Sequence, residues 1–280
     1  MRRLLVATLS VISTLALCVT VGSAPVAAAP EQPLPYPTLG QAPDGANDWN
    51  CRPTQQRPTP AVIVHGTFGD QKSLLDKLSR ALVDAGFCVY SLDYGNRGTG
   101  PIEQSARQLR AFTSRVLHAS GAAKVSMVGH SQGGMMPRYF IKFLGGAAVV
   151  DDLVGLAPSN HGTSIAGGPS SPNPIFDRFC PACQQQAAGS AFLTRLNAGD
   201  ETPGRVSYTQ LTTRYDTVVV PHTSGYLEPG VRTTNLTLQD VCPTDLAEHL
   251  QIPMSNTTIA LTLNAFRRPG PANPSYRPVC

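Results

Sequence analysis

The sequence predicts an α/β architecture, a mostly parallel sheet of about six strands with helices on both faces, in a single domain. Two observations carry this reading. Short apolar runs recur along the chain, separated by stretches with helical periodicity. Short apolar strands separated by helices mean a parallel sheet buried on both faces. Finally, Gly129-His130-Ser131-Gln132-Gly133 stands between one such run and a helical stretch. That is the carboxyl end of a strand, where sheets of this kind bind their ligands.

Taken in order, residues 1–29 are expected to be a secretory signal peptide that is removed. Arg2 and Arg3 precede an apolar stretch over 4–21, and small residues run on through Ala29, with cleavage within 23–29. A membrane anchor is the competing reading, but the stretch is slightly short to span and contains Ser10, Ser13, Thr14 and Thr20. Residues 30–60, rich in proline and polar side chains, form an extended lead-in.

The domain itself is expected over 61–266. Ala61–Val64 is its first strand, 73–85 an amphipathic helix closed by Gly86, and 87–92 the second strand. Ile102, Ala106, Leu109, Thr113 and Val116 share one face of a helix that Gly121 ends. Residues 125–128 form the third strand, and 134–144 the helix that follows the serine turn. Strands over 153–156, 206–211 and 233–238 complete the series.

Residues 157–204 break this rhythm, being rich in Gly, Pro, Ser and Asn. A long irregular excursion inside a compact domain reads as a lid-like loop, with Ile175, Phe176, Phe179 and Phe192 as its apolar underside. A plain surface loop is the alternative. Residues 267–280 form a proline-rich tail.

Net charge is +4, with both signs scattered and no internal repeat. There is no basic block and no interleaving of basic and aromatic residues, so nothing points to a nucleic-acid partner. Of seven cysteines, Cys18 falls in the expected signal peptide and six remain: Cys51, Cys88, Cys180, Cys183, Cys242 and Cys280. An even number in an exported chain implies three disulfides, for which sequence alone allows 15 pairings. Position favours Cys51 with Cys88, Cys180 with Cys183 across a small local loop, and Cys242 with Cys280 fastening the tail. A zinc or redox reading of Cys180-x-x-Cys183 lacks a second ligand pair, so no metal is expected.

A serine hydroxyl is a poor nucleophile unless it stands clear of the sheet, meets a base and has N–H groups beside it to hold an oxyanion. Ser131, between glycines that permit a strained turn, has the first property. A base and an orienting carboxylate are expected downstream, in the order acid then histidine. His249 lies in the loop after the last strand and is the first choice; His222 is the second, and His161 precedes the expected carboxylate. Asp216, at the exit of the penultimate strand, is the expected carboxylate. Its rivals Asp240 and Asp245 share the loop of the histidine, where capping a turn or a helix is the plainer role. The oxyanion donors are expected at Gln132, through its backbone N–H, and at Thr67, through its N–H and its hydroxyl. His65 reads as a structural residue of the same loop as Thr67.

With these residues in place, the chain resembles the secreted actinobacterial class 2-type triacylglycerol lipases of the α/β-hydrolase superfamily. The resemblance rests on Val64-His65-Gly66-Thr67-Phe68-Gly69, on 129–138, on Ala157-Pro158-Ser159-Asn160-His161-Gly162, on Asp216 with its trailing valines, and on Glu248-His249. It covers roughly 51–266. It implies an α/β-hydrolase fold, Ser131 as nucleophile with Asp216 and His249, and Thr67 and Gln132 as oxyanion donors. It implies hydrolysis of carboxylic esters of lipids through an acyl-enzyme, with no cofactor, and transient contact with a lipid surface. The Gly66-Thr67 signature is similar to that of lipases acting without a large moving lid.

Within enzymes, the alternatives are a short-chain or polyester esterase, or an acyltransferase to a cell-envelope sugar. An acyltransferase is distinguished by ester product formed on an acceptor alcohol in excess water. Outside enzymes, the alternative is a secreted binding protein on the same fold, whose Ser131 would resist a serine-directed phosphonate. The sequence leaves acyl-chain preference and oligomeric state open.

Overall fold

The computed structural model describes residues 41–164 and 178–280. The expected signal peptide, residues 30–40 of the lead-in, and 165–177 of the excursion with Ile175 and Phe176 lie outside the described residues. Six strands form one sheet: β1 (Ala61–Val64), β2 (Val89–Leu92), β3 (Val125–His130), β4 (Val150–Leu156), β5 (Ser207–Thr212) and β6 (Thr233–Thr237). Their spatial order is β2-β1-β3-β4-β5-β6, and every pairing is parallel.

The apolar character of the strands is explained by two cores, one on each face. Alternate side chains of a strand point to opposite faces. Val62, Val64 and Met127 accordingly join a cluster with Tyr90, Leu109, Phe140 and Leu153. Ile63 and Val128 join a second cluster with Leu78, Leu156, Leu211 and Leu261. The covering helices are α1 (Asp76–Asp84), α2 (Ile102–Ser120), α3 (Gln132–Phe143), α4 (Pro181–Gln185), α5 (Ala191–Asn197) and α6 (Asn256–Phe266). Helices α2 and α3 contribute to the first core, α1 and α6 to the second. Helix α2 buries the expected stripe and ends at Gly121, whose φ of 72° is the left-handed conformation that glycine adopts without a Cβ clash.

Strand order also sets the place of the functional site. The chain runs from β1 outward to β2, then crosses back to β3 and continues in the opposite direction. The carboxyl ends of β1 and β3 therefore border the crevice at which the order reverses.

The structure departs from the sequence reading in two regions. Helix α6 has no clear signal in the sequence, because Thr257, Thr258 and Thr262 are weak helix formers. Packing overrides propensity: Ile259, Leu261, Ala265 and Phe266 are buried, and Ser255 caps the helix by accepting from the Thr258 N–H. The excursion is also less irregular than expected. It contains α4, with Pro181 in its first turn, and α5, capped by Ser190.

Disulfides join Cys51 to Cys88, Cys180 to Cys183 and Cys242 to Cys280. The tail is held further by the Ala272 N–H, which donates to Thr209 Oγ1 at 2.9 Å. Among the described residues, no helix is long and apolar enough to cross a membrane.

Candidate active site

The bend after β3 is the starting point. Ser131 sits at φ 55°, ψ −122°, a conformation that side-chain-bearing residues rarely adopt. Two bonds hold it there: its N–H donates to Leu156 O at 2.8 Å, and its carbonyl accepts from the Gly134 N–H at 2.9 Å. The flanking glycines are required by close approach. A Cβ on Gly129 would lie 1.9 Å from Gly133 O, and one on Gly133 would lie 2.4 Å from Val64 O. Helix α3 thus begins hard against the exit of β1, and the Ser131 side chain stands at its N-terminus.

His249 reaches this serine from the loop after β6. Its Nε2 lies 3.1 Å from Ser131 Oγ, and its Nδ1 lies 2.9 Å from Asp216 Oδ2. All three side chains are buried. Asp216 is itself held: its other oxygen, Oδ1, accepts from the Val218 and Val219 amides at 2.9 and 2.7 Å. A carboxylate accepts only, so the histidine carries its proton on Nδ1 and offers the Nε2 lone pair to the serine hydroxyl.

The expected oxyanion donors adjoin, along the chain, Ser131 itself and a glycine that packs on it. Gln132 opens α3, where backbone N–H groups have no helical partner and the helix dipole favours negative charge. Thr67 follows β1, and Gly66 before it packs on the serine; a Cβ added there would lie 3.1 Å from Ser131 Cβ. Among the described residues, no acceptor is found for the backbone N–H of Thr67 or Gln132.

The other candidates are engaged elsewhere. His161 bonds Glu201 at 2.8 Å, and this bond pushes its pKa up against the lowering effect of burial. His222 lies in a short turn over His222–Gly225. Asp240 pairs with Arg214, and Asp245 accepts from Ser255 Oγ and the Ala247 N–H. His65 braces the β1 exit. It bonds Gly66 O through Nδ1 at 2.7 Å and stacks on Tyr94 at 4.2 Å, and burial lowers its pKa to about 4.

Three further residues shape the site without having been singled out from sequence. His130 Nε2 donates to His249 O at 2.8 Å, so the residue before the serine holds the backbone of the histidine. Burial, reinforced by His249, lowers the His130 pKa to about 3, which keeps that donor neutral. Thr213 Oγ1 donates to Ala247 O at 2.6 Å, and Gln239 Nε2 donates to both Thr213 Oγ1 and Asp245 O. These bonds lash the Asp216 turn to the His249 loop. The x of the G-x-S-x-G pattern was the available signal for His130; Thr213 and Gln239 offered none. Among the described residues, no cluster of three or more His, Cys, Asp or Glu side chains could hold a metal ion.

Comparison with known proteins bears on the family and on the fold. The profile of the family described as lipase (class 2) matches residues 58–261. Over 107 residues the chain is 34% identical to a triacylglycerol lipase of Pseudarthrobacter phenanthrenivorans, covering 34% of this chain and 30% of that protein. A triacylglycerol lipase of Burkholderia plantarii is likewise 34% identical over 107 residues, which cover 34% of this chain and 26% of the relative. The matched stretch thus spans less than a third of either relative. Among solved structures, Aspergillus fumigatus lipase B superposes with a TM-score of 0.67 at 20% identity, covering 84% of this chain and 57% of that one. The mature form of Bacillus licheniformis lipase BlEst2 gives 0.61 at 16% identity, covering 77% and 94%. At such identities the likeness is one of fold, the α/β-hydrolase fold.

Proposed function

Because the chain belongs to the class 2 lipase family, we propose that it is an exported lipase or carboxylesterase that cleaves the acyl esters of lipids through a serine acyl-enzyme. The observation that carries this reading is the unbroken line of hydrogen bonds from Ser131 through His249 to Asp216, at the point where the strand order reverses.

The proposed chemistry follows from the proton positions. As Ser131 Oγ attacks the ester carbonyl, its proton passes to His249 Nε2, 3.1 Å away. Asp216 stabilises the imidazolium through the Nδ1–H bond and holds the ring in register. The negative oxygen of the tetrahedral intermediate is received by the Thr67 and Gln132 amides. Collapse expels the alcohol, which takes the proton back from His249. Water then attacks the acyl-enzyme by the same route, and the carboxylic acid leaves. Each proton stays among substrate, water, Ser131 and His249, so the cycle closes without a cofactor.

Large apolar side chains stand exposed close in sequence to the site residues: Phe68 after Thr67, Val218 after Asp216, and Leu246 and Leu250 either side of His249. Apolar surface at these positions suits an acyl chain and transient contact with a lipid surface. The three disulfides suit an exported protein.

The test is a rate profile over p-nitrophenyl esters from acetate to palmitate, together with emulsified triglyceride and the Ser131→Ala variant. The reading expects turnover of long-chain substrates that disappears in the variant. Cleavage of acetate alone would remove the lipid part of the reading, and a fully active Ser131→Ala would remove the nucleophile.

A further inference from the structure

Gln186 lies 119 positions from Thr67 in sequence, yet the two side chains are hydrogen-bonded. Gln186 is buried between α4 and α5, and its amide is fully committed. The orientation of that amide follows from its partners. Ala182 O can only accept, and it takes a bond from Nε2 at 3.1 Å; Ser159 Oγ donates to Oε1 at 2.8 Å. The second hydrogen of Nε2 therefore points at Thr67 Oγ1, at 3.0 Å. The backbone is pinned as well, with Gln186 N–H donating to Ala182 O and Gln186 O accepting from the Thr163 N–H, each at 3.0 Å.

This arrangement has a consequence for Thr67. Its hydroxyl oxygen is already an acceptor, so its own hydrogen must be donated elsewhere. Among the described residues no acceptor for that hydrogen is found, and Gly66, the residue before Thr67, packs on Ser131. We propose that Gln186 is a positioning residue: by occupying the Thr67 oxygen it turns the Thr67 O–H toward the substrate oxyanion, adding a third donor to the two amides. The proposal rests on the acyl-enzyme reading given above. It also makes the excursion part of the machinery, because the strut that sets the hydroxyl belongs to that segment and not to the sheet.

A double-mutant cycle tests it on the full chain, with p-nitrophenyl butyrate as substrate. Thr67→Val removes the hydroxyl and keeps the amide, and should lower kcat by about 100-fold with KM little changed. Gln186→Met should lower kcat by about tenfold, again at nearly constant KM, because only the aim of one donor is lost. In the Thr67→Val background, Gln186→Met should have no further effect on kcat. Gln186→Glu is the isosteric second variant: its carboxylate only accepts, so it captures the Thr67 hydrogen and should cost at least as much as the Met variant. Affinity for an alkylboronic acid, which binds as a tetrahedral adduct, should fall in parallel with kcat.

Equal losses from Gln186→Met in both backgrounds would overturn the proposal. So would a loss that appears in KM, or one that follows the melting temperature alone. Ser131→Ala, run alongside, separates the two levels. If it is silent and the cycle is additive, only the role of Gln186 fails; if it is active, the acyl-enzyme reading itself fails.

Discussion

The strained turn at Ser131 makes a prediction about stability that is separable from activity. Two variants, Ser131→Ala and Ser131→Gly, both remove the hydroxyl and its bond to His249, so they differ only in the Cβ. At φ 55°, ψ −122° that Cβ holds the backbone where only glycine is comfortable, and such strain costs about 1–3 kcal/mol. Glycine carries an opposing cost, about 0.5–1 kcal/mol, from the extra freedom of its unfolded chain. The difference leaves Ser131→Gly more stable than Ser131→Ala by about 1 kcal/mol. For a domain of this size that corresponds to roughly 2–4 °C in melting temperature.

The assay is urea or thermal unfolding of both proteins side by side, each expected to be silent toward esters. Ala111→Gly, in the middle of α2, is the control. There the same loss of a Cβ should destabilise by about 1 kcal/mol, reversing the sign. If Ser131→Ala proved as stable as Ser131→Gly, or more so, the turn would not be strained and the argument from its backbone would fail.

Asp216→Asn should leave the fold intact, since an amide oxygen can still accept from Val218 and Val219, but it presents an N–H to His249 Nδ1 and reverses the tautomer. A kcat loss of about 10⁴-fold is expected, as a wrong tautomer costs in other serine hydrolases, and a loss below tenfold in ester kinetics would contradict the proposed role. Asp152 gives a pH prediction: burial raises its pKa to about 7, and its Oδ2 accepts from Ser126 Oγ. The folded state keeps this proton after the unfolded state has lost it, so the contribution to stability is complete below pH about 4 and is lost as pH rises toward 7. Melting curves of Asp152→Asn should therefore show a flatter decline over that window than the parent; parallel slopes would refute it. Removing the Cys51–Cys88 cross-link, which spans 37 residues, by a Cys51→Ser/Cys88→Ser pair should cost up to about 4 kcal/mol in urea unfolding.

How far the sequence reveals this molecule depends on the range of each interaction. The inner strands β1 and β3 were legible because burial on both faces leaves each as a short, mostly apolar run, and α2 was legible because its buried stripe repeats at helical spacing. Ser131 was legible because close packing demands glycines on both sides of it, which is a local pattern. His249 and Asp216 could be placed only by chain order relative to the strands. The excursion was harder to read. Short capped helices such as α5 are too brief to show a periodicity, and α6 is built from residues whose intrinsic preferences argue against it. Gln186 was hidden for another reason: its partner lies 119 positions away along the chain and nothing in the neighbouring residues announces it, whereas His130, whose partner is equally distant, is marked only by its place in the G-x-S-x-G pattern.

The bond from the His130 ring to the carbonyl of His249 has an implication for tolerance to change. Hydroxyl and imidazole are both moored to the tip of one strand, so thermal breathing of the sheet carries them as a unit and leaves their separation nearly constant. On the proposed chemistry, the surrounding loops can then diverge around a different acyl group without altering the separation of Ser131 Oγ and His249 Nε2.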